Sequence, residues 1–267
     1  MGKIAKLRNN LFSTDALRVL GTSLYARYLL SAVRCARGIW KDRDLRTLDK
    51  RMGSNAGVFH YRGSSFYFDC SYCDQVIKED SFAFGVVREI YIRDCYLKWH
   101  PPWVYSDAKV VVDLGANRGA FSSLMTTTAK FILSVECGEQ YVPVIEHNFK
   151  KNSFQNYVVE TVIVGEQIFS GGAALVAIDE LLKRNGIDQI DLIKIDIEGS
   201  EFALFSEGDW LSRVAALSME IHPDHGDVSF LLKRLTDFKF SYIMADENLK
   251  RVHDPKSASF LYAHKLS

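Results

Sequence analysis

The sequence has no net charge: 33 lysines and arginines stand against 33 aspartates and glutamates. A chain so balanced has no overall field to gather nucleic acid or an anionic membrane. It has no apolar run of the ~18 residues that a spanning helix needs, since Arg27, Arg34 and Arg37 interrupt the best stretch. The opening MGKIAKLRNNLF lacks the long uncharged core of a secretion signal. Cysteine is sparse and odd in number. Cys35, Cys70, Cys73, Cys95 and Cys137 make no disulfide framework, which points to a reducing, cytoplasmic setting. Cys70 and Cys73 have the spacing of half a zinc site, but no second pair follows and no histidine lies nearby at ligand spacing. Internal repeats and low-complexity tracts are absent as well.

The charge that is present is unevenly spread. Residues 1–51 hold twelve lysines and arginines against four acids, and the pattern there is helical to about Met52. Such a front end suits a peripheral membrane surface, an acidic partner or a phosphate-bearing substrate; it equally suits a helix packed on its own domain with a solvated basic face. Next come GVFHYRG and SFYFDC, alternating aromatics around Gly63-Ser64-Ser65, which predict a hairpin. Residues 80–98 return to helical spacing before His100-Pro101-Pro102 breaks the chain. Residues 1–105 therefore read as a helical and hairpin cap, with residues 106–267 as a separate domain.

From Lys109 onward short apolar strands alternate with helical stretches. KVVVDLG, FILSVE, YVVETVIV, IDLIKID and AALSMEIH are the strands. Helices are expected from Gly119, around Tyr141 to Lys151, at Ile178 to Arg184, from Ser200, and at Val228 to Phe238. This alternation predicts an α/β domain with a parallel sheet and right-handed crossovers. The tail departs from it: FSYIMAD and SASFLYAHK have no helix between them, so they should pair antiparallel.

The first turn, in VVVDLGANRGAFSS, selects the ligand. A dinucleotide turn wants glycine at its first, third and sixth positions, where this chain has Gly115, Asn117 and Ala120. The glycine that admits a pyrophosphate is missing, so a phosphate-free adenosyl ligand fits better. Glu136, at the tip of the second strand, is placed to accept both hydroxyls of a ribose.

Asp113-Leu-Gly-Ala-Asn-Arg-Gly-Ala-Phe-Ser, Val135-Glu136, Glu146-x-Asn148, Asp191-Leu-Ile-Lys-Ile-Asp-Ile-Glu-Gly-Ser-Glu201 and Glu220-Ile-His222 together resemble the FkbM family of S-adenosylmethionine-dependent methyltransferases. The resemblance covers about residues 109 to 225, and LIKIDIEGSE is its most specific piece. Cys137-Gly138 and Ala177-Ile178-Asp179 depart from the usual pattern. The family implies a Rossmann-like class I methyltransferase sheet of strand order 3-2-1-4-5-7-6 with strand 7 antiparallel. It also implies S-adenosylmethionine as cofactor, held by Asp113, Gly115, Ala116, Asn117, Gly119, Glu136 and Asp196.

Catalysis is expected at the carboxyl ends of strands 1, 4 and 5. There Asp113, Lys194, Asp196, Glu220 and His222 converge on the point where the crossovers leave in opposite directions. Lys194, Asp196 and Glu198 lie at period two on one face, and three charges there must pair or bind something. Transfer to a hydroxyl needs a base, which His222 or Asp196 supplies, with Glu220 orienting the imidazole or completing an oxygen-rich site for a divalent metal. Glu201 reads as a cap of the following helix. The leading function, as the resemblance implies, is O-methylation of a small molecule, sugar or lipid-linked glycan. RNA methylation through the basic front end, and a non-catalytic scaffold, are the alternatives; a homodimer is left open. Phe66, Phe68, Tyr72, Tyr91 and Tyr96 either line an acceptor pocket or pack in the core.

Overall fold

A computed structural model of the chain describes residues 13–79, 81–166 and 172–265. Its contacts divide into two compact units. One comprises residues 1–94 with 118–127 and 143–154; the other comprises residues 95–117, 128–142 and 155–267.

The first unit opens with helix α1 (Thr14–Arg34), which is capped by Ser13 accepting from the Ala16 N–H at 3.0 Å. Gly21, at φ 66°, kinks it. Helices α2 (Ala36–Asp42) and α3 (Arg46–Met52) follow. The hairpin expected from the aromatic pattern is present as β1 (Ala56–Tyr61) and β2 (Ser64–Asp69). Its turn is Arg62-Gly63 rather than Gly63-Ser64-Ser65, with both residues at positive φ as a two-residue hairpin turn requires.

Phe59 and Phe66 face each other across that hairpin, and the Tyr91 ring packs on both and on Phe68. All four are buried, so Phe66, Phe68 and Tyr91 belong to internal packing; Tyr72, half-buried, stacks on His147 at 4.0 Å. Asn152 both accepts from the Tyr67 N–H and donates to its carbonyl, standing in for a neighbouring strand at the hairpin edge. The helical spacing of residues 80–98 is realised only in part. Helix α5 (Ala83–Val87), which follows α4 (Cys70–Val76), widens into a π-turn over Arg88–Ile92 and stops, with Asp94 at φ 59°.

The second unit is built on one eight-stranded sheet. Val110-Val111-Val112 are apolar without a break because both faces of β3 (Val110–Leu114) are covered. Its neighbours are β4 (Phe131–Val135) and, beyond it, β5 (Tyr157–Glu160) on one side, and β8 (Ile190–Ile195) then β9 (Val214–Glu220) on the other, all parallel. Beyond β9 lies β12 (Phe260–Lys265), antiparallel both to it and to β10 (Phe240–Ala245); the short β11 (Arg251–Val252) closes the edge. Numbered along the chain without that edge strand, the sheet reads 3-2-1-4-5-7-6 with strand 7 reversed. The run YVVETVIV is split. Its first half is β5, and Val162–Ile163 (β6) pairs instead with Ala174–Leu175 (β7).

Leu133, Ile193, Leu217, Trp210 and Leu231 are among the side chains of the core, each fully buried. Burying one such side chain contributes about 1.5–3 kcal/mol. Helix α11 (Val228–Asp237) covers this core and starts where Asp227 accepts from the Ser229 N–H at 2.9 Å. This packing fixes the strand tips within which the site is built.

Candidate active site

From β3 the chain goes on to its neighbour on one side and from β8 to its neighbour on the other, and such a switch in strand order leaves a crevice at the carboxyl ends of those strands. A cleft lies there, about 540 Å³ including the space open to solvent, lined among others by Gly115, Val135, Glu136, Cys137, Asp196 and Glu198. Gly115 makes its floor possible. At φ +74°, a Cβ on it would stand 1.7 Å from the Asp196 carbonyl oxygen. Asp113, Ala116 and Gly119 do not line the cleft; Asp113 and Ala116 are buried, and Gly119, at φ 71°, starts helix α7 (Ala120–Met125).

Glu136 is held from two directions. One carboxylate oxygen accepts from the Asn117 N–H at 2.7 Å and the other from the Gly138 N–H at 3.0 Å. Oε1 also accepts weakly from the Cys137 thiol at 3.5 Å, while Oε2 keeps a lone pair for a ligand hydroxyl.

Asp113 and Lys194 are register partners in adjacent strands, and Lys194 in turn is the partner of Ser218 in β9. The buried Lys194 ammonium donates to the Gly115 carbonyl at 2.5 Å and lies 3.3 Å from Asp113 and 3.7 Å from Asp196. Burial acts to strip its proton, but the two carboxylates outweigh burial and hold its affinity above the usual lysine value. Asp113 thus acts on the turn through Lys194, not on the cleft directly.

Tyr96 completes the group. Its hydroxyl donates to Asp196 Oδ2 at 2.8 Å and lies 3.4 Å from Glu220 Oε2. The segment carrying it is tied down by Ser218 Oγ donating to the Tyr96 carbonyl and by Tyr262 donating to the Cys95 carbonyl, both at 2.6 Å. Of the five aromatics considered from sequence, Tyr96 alone joins the charged residues. No local pattern marks it, because its partners are far away in the chain.

Helix α10 (Glu201–Ser206) brings the remaining carboxylate. Glu201 is fully buried, and its Oε1 lies 2.5 Å from His222 Nδ1. The residue read as a helix cap is therefore the one that orients the imidazole, in place of Glu220: β9 ends at Glu220 and the chain then turns His222 toward α10. The other ring nitrogen lies 3.4 Å from Glu198, which sits in the turn after β8 at φ 54°. The Glu201 hydrogen bond, against the opposing effect of burial, raises His222 to about 9. Burial, reinforced by the charge of Asp196, raises Glu220 to about 7.

Asp196, Glu198 and His222 also present one ligand atom each within 4.8 Å of one another. A cation placed there would have to displace the second imidazole proton, while Asp196 is already engaged by Tyr96 and Lys194. The arrangement is thus complete as an ion-pair network. Five carboxylates against Lys194 and His222 leave an excess of negative charge, which suits a sulfonium cation.

A parallel sheet that reverses its winding between β3 and β8, a glycine at the first turn, an acid at the tip of β4 and charged groups at the tips of β8 and β9 define an S-adenosylmethionine-dependent methyltransferase. Residues 113–242 match the model of the methyltransferase FkbM domain. No curated protein matches the sequence. Among solved structures, a methyltransferase FkbM from Methylobacillus flagellatus is similar at 16% identity and a TM-score of 0.44, over 73% of this chain and 57% of that one. An rRNA methylase from Streptococcus thermophilus gives 12% identity and 0.43, over 62% and 93%. A Streptococcus mutans protein solved with SAH gives 10% and 0.40, over 61% and 94%. None of the three likenesses bears on the role of a residue here.

Proposed function

We propose that the chain methylates a hydroxyl group of a small molecule, a sugar or a lipid-linked glycan, in a reducing, cytoplasmic setting. The observation that carries this reading is a half-buried carboxylate, Glu220, whose proton affinity lies near neutrality, beside the Tyr96 hydroxyl and Asp196. An alcohol must lose its proton as the new carbon–oxygen bond forms, and a base works best when its pKa is close to the ambient pH.

S-adenosylmethionine supplies the methyl group, carried on a sulfonium. Gly115 leaves room for the adenosyl portion against the floor of the cleft, and Glu136, fixed by two backbone N–H groups, accepts from the ribose hydroxyls. Lys194 stiffens the turn through the Leu114 and Gly115 carbonyls and lies within ion-pair distance of Asp113 and Asp196. Asp196 and Tyr96 position the acceptor oxygen, and Glu220 takes its proton. His222 holds its own proton at neutral pH, so it serves as a positive group beside the acids rather than as the base. Alignment of this kind is worth up to ~7–11 kcal/mol of barrier, so an in-line transfer needs little more than placement and one base.

The test follows consumption of labelled methyl groups with a panel of hydroxylated acceptors, alongside calorimetry with S-adenosylhomocysteine. The proposal expects binding, turnover with at least one hydroxyl acceptor, and loss of turnover without loss of binding in Glu220→Gln. Methylation of RNA alone would replace the acceptor class. Binding with no methyl consumption on any acceptor would return the protein to a scaffold role.

A further inference from the structure

Helices α1 and α2 carry one exposed stripe. Leu30, Val33, Arg34, Arg37, Trp40 and Lys41 follow at helical spacing, and the i to i−4 hydrogen bonds Cys35 N–H to Ser31 and Ile39 N–H to Cys35 carry the helical phase across the junction. The apolar members are exposed: Leu30 by 60%, Val33 by 74% and Trp40 by 71%. Beside them lies a hollow of about 340 Å³ whose lining includes Arg27, Arg34 and Arg51 with Ser23 and Ser31. Arg34, Arg37, Lys41 and Arg51 have no acidic partner among the described residues. Asp15 is spent on Arg18, and Asp42 falls off the stripe.

We propose that this stripe docks on an anionic phospholipid surface, with Leu30, Val33 and Trp40 entering the headgroup boundary and Arg27, Arg34 and Arg51 receiving a lipid phosphate. Apolar and aromatic side chains interleaved with arginine on one helical face are what an interfacial helix needs. Each alone is weak, since the apolar area is small and a charge in water is screened. Exposed tryptophan favours the interface, where its ring is part apolar and part polar. Three arginines around one hollow repel one another until an anion arrives, which gives the charge complementarity that selects lipid phosphate over a neutral surface. No helix among the described residues is long and apolar enough to cross a membrane, so the contact is peripheral. The inference does not rest on the reading of the transfer site.

The experiment is co-sedimentation of the full chain with vesicles of phosphatidylcholine alone and of phosphatidylcholine mixed with phosphatidylglycerol, at rising salt, with tryptophan emission recorded. Binding only to the anionic vesicles, weakening with salt, and a blue shift that Trp40→Ala abolishes are expected. Each basic side chain near such a surface is worth roughly fivefold in binding, so Arg34→Ala with Arg37→Ala should weaken it about thirtyfold. All three positions are exposed, and unchanged S-adenosylhomocysteine binding shows that the variants are folded. No binding to anionic vesicles at low salt, or binding indifferent to these substitutions, overturns the proposal. So does capture of inorganic phosphate or of an RNA oligonucleotide through the same arginines without vesicle binding, which would make the hollow a site for a soluble anion or a nucleic acid.

Discussion

The Tyr96 hydroxyl donates to Asp196 Oδ2 at 2.8 Å, joining the segment ahead of the first central strand to the tip of the fourth. Burial, aided by the charge of Asp196, pushes the phenol well above its ordinary value, so Tyr96 remains a donor throughout the working range of pH. A hydrogen bond to a charged group is worth about 1.5–3 kcal/mol. If that bond sets the position of Asp196 during transfer, Tyr96→Phe should lower kcat by roughly ten- to a hundredfold. S-adenosylhomocysteine affinity, read by calorimetry, should barely move, because the phenol faces Asp196 and Glu220 rather than Glu136. A variant with full kcat would reduce Tyr96 to packing.

Glu220 and His222 make opposite predictions about pH. With Glu220 as base, kcat/KM is low while the carboxyl is protonated and climbs as pH rises through about 7. With His222 as base the climb would be centred near 9 instead, since the imidazole is protonated below that value. A rate profile of the wild-type enzyme separates the two. In Glu220→Gln the climb near 7 should vanish and the rate fall by about 10²–10⁴, the usual worth of a positioned base.

The sheet was largely legible because its signals are local. Three valines in a row, glycines at a turn and the helix-less tail each report on neighbours in sequence, and the strands and their polarity followed. The site was legible where it sits on strand tips: Lys194, Asp196, Glu220 and His222 do gather. What escaped is long-range. Glu201 has the position of a first-turn acid, and only the path of His222 after β9 turns it into the partner of an imidazole. Tyr96 follows a helix that ends at Ile92, short of its apparent periodicity, and its role depends on anchors in β9 and β12. Arg62 takes a left-handed turn position that its side chain does not advertise.

Cys137 gives a probe of the cleft that needs no acceptor. It is the one exposed cysteine; Cys35, Cys70, Cys73 and Cys95 are buried, and burial pushes the thiols of Cys70 and Cys73 up, the latter to about 12. Partial burial and the neighbouring Glu136 charge raise Cys137 as well, so its alkylation should be slow at neutral pH and accelerate as pH rises. S-adenosylhomocysteine in the cleft should shield it. Mass spectrometry after a maleimide pulse, with and without that ligand, is expected to find one protected label at Cys137. Labelling that ignores the ligand would mean that the adenosyl group lies elsewhere.

Gly115 and Gly63 both have left-handed backbone, at φ +74° and +89°, yet they should tolerate alanine very differently. At Gly63 an added Cβ meets nothing within 4 Å, so Gly63→Ala carries only the conformational cost, about 1–2 kcal/mol. At Gly115 the same atom would stand 1.7 Å from the Asp196 carbonyl, and that oxygen is backbone whose own N–H is bonded to Leu114 at 3.1 Å. It cannot swing aside as a side chain would. Gly115→Ala must therefore spread β3 from β8, adding overpacking of about 1–3 kcal/mol to the conformational cost and displacing Asp196 from Tyr96 and Lys194. Chemical denaturation should rank the two variants in that order, and calorimetry should find cofactor binding lost in Gly115→Ala and kept in Gly63→Ala. Equal effects would mean that the two strands can part at no cost, and the close approach of Gly115 to Asp196 would then not be what holds the cleft floor in shape.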